Sequence, residues 1–178
     1  PVNDNSCIIR GGTVVCADRV LPDHDVVVID GRIAAIEPAG AREFDAQPDA
    51  TVGVLPVVDA RGAFVAPGLI DIHSDYVENV ASPRPSVVMD LNTSLYKADR
   101  ELVSHGITTI FHSLSVYGAH IFDHKPIRDF GNVSGLIERV AGLRAGEERD
   151  HLIRHRLHMR VELDSVDLYD DIEEFLRS

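Results

Sequence analysis

Cysteine is scarce in this chain: Cys7 and Cys16 are the two present, and both fall in one predicted hairpin. They could face each other across it. Without a secretory signal they read instead as reduced, cytoplasmic thiols. Residues 1–10 are polar and carry no leader pattern, and no apolar run is long enough to span a membrane. Cations are the next shortage. The 17 Lys and Arg against 29 Asp and Glu leave a net charge of −12. Such a field disfavours nucleic acid and anionic membranes as bulk partners. An anionic substrate would then need local cations or a metal ion to hold it. What is present is an ordinary globular mixture, 44% hydrophobic and 26% charged.

Residues 1–62 read as a small antiparallel β-sandwich segment. CIIRGGTVV (7–15) reads as a strand, a Gly-Gly turn and a second strand. DVVVIDGRIAAIEP (25–38) repeats that form around Asp30-Gly31, the strongest hairpin signal in the chain. A loop at 39–53 leads to VLPVVDARG (54–62), a further strand ending at a turn.

Over residues 63–178 strands alternate with helices, the grammar of βα units. The first strand runs over 64–75, followed by a long loop containing Pro83-Arg84-Pro85. A helix follows from about 92 to 105, with Asn92 or Thr93 as cap, Leu95, Ala98 and Leu102 at helical spacing, and Gly106 as stop. The second strand is ITTIFHSLSV (107–116). After a loop with His120, His124 and Lys125, a helix capped by Ser134 shows Leu136, Ile137, Val140 and Leu143 on one face and breaks at Gly146. The third strand is RLHMRVELD (156–164). Behind Ser165 a last helix carries Leu168, Ile172, Phe175 and Leu176 as its stripe. Three such units make the first part of a (β/α)8 TIM-type barrel, which needs eight strands in about 250 residues. Together with Pro1 in place of Met, this leads us to expect a longer chain, or a homo-oligomer assembled through the open strand edges.

The chemistry is expected at VAPGLIDIHSD (65–75). At a period of two, Asp71, His73 and Asp75 share one face and Ile70 and Ile72 the other. His73 and Asp75 stand at the C-terminal end of the strand, where barrel enzymes carry their chemistry. The alternative is an edge strand with a solvated polar face. The third strand repeats the logic, with His158, Arg160 and Glu162 opposite Met159, Val161 and Leu163. Glu162 is placed to join His73 and Asp75 on one divalent ion, or else to pair with Arg160 or Arg156. Arg160 and His158 are substrate contacts or core hydrogen-bonding partners. His112, ending its strand, looks into the site or is a satisfied core histidine. His105 suits a helix C-terminus, His120 and His124 make a weak zinc pair, and His151 and His155 read as a solvated helix face. Arg84, held between two prolines at the rim, and Lys125 are the cations expected to meet substrate phosphates.

The N-terminal β segment with its IDG turn, APGLID-H-x-D, and a helix ending in HGITT together resemble the amidohydrolase superfamily over the whole chain as its front half. HSD, the ASPRPSV loop, HGITTIFHSLSV and RLHMRVEL resemble one branch, the phosphonate-metabolism hydrolases of the carbon–phosphorus lyase pathway. The resemblance implies a (β/α)8 barrel beside a small β-sandwich, and hydrolysis of ribose 1-methylphosphonate 5-triphosphate to the 5-phosphate and pyrophosphate. It implies one or two divalent ions, zinc, manganese, iron or magnesium. His73 and Asp75 match the first-strand metal pair, and Glu162 matches the bridging carboxylate on a later strand. Later-strand histidines and a terminal aspartate have no counterpart up to Ser178. Other readings are hydrolysis of a C–N bond on the same platform, and a metal-free relative serving as an assembly module.

Overall fold

The computed structural model describes residues 5–41, 55–118, 120, 125–145 and 151–177, and divides the chain into two compact units between Pro67 and Gly68. The first unit holds β1 (Cys7–Val15), β2 (Val20–Ile29), β3 (Arg32–Pro38), β4 (Val57–Asp59) and β5 (Phe64–Val65). The hairpin at Asp30-Gly31 forms as expected: φ is +50° and +73° at the two residues, the left-handed pair a tight two-residue connection demands. The sheet order is β3-β2-β1-β4, with β5 also on β1.

Two expectations fail here. The sheet is mixed, because β4 and β5 pair parallel to β1. Gly11-Gly12 is also no turn: β1 runs straight through it as a bulge. The reason is a buried side chain. Asp25 is 1% exposed and accepts the Gly11 N–H at 2.8 Å, which holds the glycine at φ +69° inside the strand. Cys7 therefore opens β1 and Cys16 follows its last residue, and both are free. Ile8, Val27 and Leu55 form the buried core of this unit. The expected loop at 39–53 lies mostly outside the described residues.

The second unit is a parallel sheet in the order β6-β7-β8, formed by Leu69–Ser74, Ile107–Val116 and Arg154–Val161. Its helices are α1 (Tyr76–Ala81), α2 (Leu91–Ser104), α3 (Phe130–Ala145) and α4 (Tyr169–Arg177), with a 3₁₀ turn at Pro126–Arg128. Three βα units are thus present, and three parallel strands among the described residues are an open sheet, not a closed barrel. Helix α2 buries Leu95, Ala98 and Leu102 as its spacing dictates. Its cap is Asp90 rather than Asn92 or Thr93, because the Asp90 carboxylate accepts the Thr93 N–H at 2.8 Å. Helix α3 starts at Phe130, so Ser134 lies inside it, and the short α1 occupies what read as loop. Gly146 lies outside the described residues.

Burial follows sheet position. Strand β7 is central, and Ile110, Leu114 and Val116 on its helix side are at most 1% exposed. Leu114 and Val116 pack with Val77, Ala81, Leu95, Leu136 and Val140, and Ile110 packs with Ala98, Leu102 and Ile153. Strand β6 is an edge: α1, α2 and α3 lie on β7 and β8. Ile70 and Ile72, on the face opposite Asp71 and His73, are therefore 62% and 72% exposed. Strand β8 ends at Val161, so Leu163 leaves the apolar face that Met159 and Val161 keep, and is 90% exposed. No described helix is long and apolar enough to cross a membrane.

Candidate active site

The C-terminal end of the parallel sheet gathers a polar face. Across small Ser113 and Ser115 on β7, residues of β6 approach residues of β8. The His73 and His158 rings meet edge to face with centroids 5.4 Å apart. Asp75, just past β6, accepts from Arg160 Nη2 at 3.4 Å, and Arg160 Nη2 also donates to Ser115 Oγ. His73, Asp75, His158 and Arg160 thus share the face that a period of two assigns them. Part of this end was invisible in the sequence. Glu78 on α1 is 4% exposed and accepts both the Ser115 N–H at 3.1 Å and Arg128 Nε at 2.9 Å. Arg128 also donates to the Tyr117 hydroxyl and lies over that ring, its carbon 4.8 Å from the centroid. Its Nη2 stops 4.0 Å from Asp75 Oδ2. Burial works against the Arg128 charge, but the Glu78 carboxylate outweighs it and raises the guanidinium pKa further. No periodicity marks Arg128, since it ends a three-residue 3₁₀ turn outside any amphipathic helix.

The remaining expected residues fall elsewhere. Glu162 follows the last residue of β8, and its backbone carbonyl accepts the Ser165 N–H at 3.0 Å. Among the described residues, His73, Asp75 and Glu162 do not bring their ligand atoms into one group. The donors suit a divalent ion in kind, two imidazoles and a carboxylate on one face, but the convergence expected of Glu162 is not seen. Arg84 is exposed in a turn where its carbonyl accepts from Val87 N–H and Ser82 Oγ, and Lys125 precedes the 3₁₀ turn. His124 lies outside the described residues, while His120 sits 3.8 Å from Asp167.

His112 is on the opposite face. It is 1% exposed beside Ile110 and Leu114, so it does not look into the polar end. Its Nε2 lies 2.8 Å from His155 Nδ1, and His155 Nε2 lies 3.0 Å from Asp99 Oδ1. Neither His151 nor His155 is on a solvated helix, because β8 begins at Arg154 and carries His155 inward to 3% exposure. Asp99 is fully buried on α2 and also accepts the N–H groups of Leu152 at 3.0 Å and Ile153 at 3.0 Å, beside Arg100 at 3.1 Å. Burial works against its charge, but these donors hold its carboxyl below the ordinary range. Burial pushes His112 down to about 3, and lowers His155 against the pull of Asp99. The tautomers follow: the carboxylate accepts the His155 Nε2–H, so His155 Nδ1 accepts from the His112 Nε2–H. The ligand atoms of Asp99, His151 and His155 lie within 4.8 Å of one another. Asp99 Oδ1 already receives Leu152, Ile153 and His155, however, which leaves it no lone pair for an ion. This cluster ties α2 to the start of β8.

No family model matches the chain. Among curated proteins it is similar to alpha-D-ribose 1-methylphosphonate 5-triphosphate diphosphatase of Escherichia coli (strain K12), 28% identical over 108 residues. That match covers 60% of this chain and 26% of the relative. It is also similar to an adenine deaminase of Paracoccus denitrificans (strain Pd 1222), 35% identical over 107 residues, covering 59% of this chain and 15% of the deaminase. The chain therefore matches about a quarter or less of the length of these relatives. A solved structure of molinate hydrolase shares the fold with a TM-score of 0.52 and 16% identity, over 87% of this chain and 29% of that one.

Proposed function

We propose that this chain is the N-terminal part of a metal-dependent hydrolase of the amidohydrolase superfamily acting on a phosphorylated small molecule, a reading its curated relatives support. The reaction in this reading is cleavage of alpha-D-ribose 1-methylphosphonate 5-triphosphate to the 5-phosphate and pyrophosphate. The observation that carries it is the placing of Arg160 and Arg128 beside Asp75 at the C-terminal end of the sheet. Two guanidinium groups there suit a polyanion, and a chain of net charge −12 must concentrate cations locally to hold one. His73 and Asp75 would hold the divalent ion. Such an ion lowers the pKa of bound water to about 7 and polarises a phosphoryl oxygen. The residues of this chain supply orientation: Glu78 fixes Arg128, Ser115 fixes Arg160, and His158 supports the His73 ring edge to face.

A second reading is favoured by the adenine deaminase match, which would direct the same end of the sheet to a C–N bond. The test is reconstitution of the protein carrying this chain with manganese or zinc, and assay of a sugar 5-triphosphate. His73→Ala and Asp75→Ala should each reduce its hydrolysis to background with the circular dichroism spectrum unchanged. Full turnover in both variants would refute the assignment.

A further inference from the structure

We infer that Arg160 and Arg128 form an oxyanion cradle for phosphoryl groups, and that in the ligand-free protein the Asp75 carboxylate sits in it as a placeholder. This deepens the phosphohydrolase reading and rests on it for the substrate class. It begins with donors that are not spent. Arg128 is held on three sides, by the Glu78 carboxylate through Nε, the Tyr117 hydroxyl through Nη1 and the Tyr117 ring. Its side chain is 13% exposed, and the Nη2 end reaches towards Asp75 but stops 4.0 Å short, beyond hydrogen-bond range. Arg160 engages Asp75 Oδ1 through Nη2 at 3.4 Å, a long contact, while its buried Nε has no hydrogen-bond partner among the described residues. One carboxylate therefore faces two guanidinium groups and satisfies neither well.

A phosphoryl group brings three oxygens and more charge to the same place, and matches the planar donor fork of arginine. The two arginines come from different elements, the 3₁₀ turn and β8, so the fold rather than local sequence sets their spacing. Glu78 neutralises Arg128 in the free protein and keeps it rigid, which lowers the ordering cost when an anion arrives. Removing Asp75 from the cradle, by a metal ion or by substitution, leaves positive charge in excess. The same carboxylate would then serve the ion and release the arginines to the anion.

The probe is inorganic pyrophosphate, bound to the metal-free protein carrying this chain and followed by calorimetry. Asp75→Asn should tighten pyrophosphate binding severalfold, because a competing anion is gone. Arg160→Gln should weaken it roughly tenfold or more, as expected for loss of a charge-assisted contact. Arg128→Lys keeps the charge beside buried Glu78, and so the fold, but loses the fork and should also weaken binding. Lys97→Gln, on the exposed side of α2, should leave binding unchanged and so control for net charge. Unchanged affinity in Arg160→Gln, or weaker binding in Asp75→Asn, would overturn the cradle. The two claims separate cleanly. Arginine-dependent pyrophosphate binding without triphosphate turnover would sink the proposed reaction and keep the cradle. Turnover with unchanged KM in Arg160→Gln would do the reverse.

Discussion

His155 Nε2 lies 3.0 Å from Asp99 Oδ1, although the two residues are 56 positions apart. Through that bond the start of β8 is tied to α2, and His112 completes the chain on β7. Burial pushes both histidines down, His112 to about 3. A base whose folded pKa is depressed contributes stability fully above its unfolded value and loses it as the pH falls towards the folded one. For His112 that window runs from 6.5 down to about 3. At about 1.36 kcal/mol per unit, the loss between pH 7 and pH 5 is about 2 kcal/mol. Urea denaturation at the two pH values measures it, and His112→Leu should flatten the dependence. A stability equal at pH 7 and pH 5 would show that burial does not hold the His112 pKa down.

Asp99 itself accepts from Leu152, Ile153 and His155 without solvent access. Replacing it by Ala strands those donors, and the cost of breaking a buried charged network is about 3–5 kcal/mol. Asp99→Asn keeps one acceptor oxygen and should cost less than Asp99→Ala. A loss below about 1 kcal/mol in the alanine variant, read by chemical denaturation, would mean that water takes over the freed groups.

The turn into β6 depends on a missing side chain. A Cβ added at Gly68 would stand 2.1 Å from Thr108 Cγ2 and 2.2 Å from Oγ1. Gly68→Ala should therefore destabilise by about 1–3 kcal/mol, the usual cost of overpacking. Thr108→Gly in the same chain should recover most of that loss, and a double-mutant cycle reads the coupling. Additive losses would place the strain elsewhere than in this contact.

Much of the second unit was legible because its signals are local or periodic. The apolar spacing of Leu95, Ala98 and Leu102 gave α2, and ITTIFHSLSV coincides with β7 to the residue. The alternation on β8 assigned His158 and Arg160 to one face and Met159 and Val161 to the other. The misses share a cause: a distant side chain decides them. Gly11-Gly12 bends into a bulge because Asp25 reaches its N–H, which no local turn rule contains. His155 went to the wrong element because β8 begins two residues earlier than its apolar pattern. Glu78 and Arg128 were missed because a six-residue helix and a 3₁₀ turn are too short to show a period. Glu162 was carried by a strand that ends one residue before it.

The most direct test of the central claim is phosphorus NMR of the products formed from a sugar 5-triphosphate by the metal-reconstituted protein carrying this chain, with ammonia release from adenine read in parallel. The account predicts pyrophosphate and the sugar 5-phosphate in equal amounts, abolished by His73→Ala, and no ammonia. Ammonia from adenine with the triphosphate left intact would contradict it and assign the polar end of the sheet to C–N chemistry.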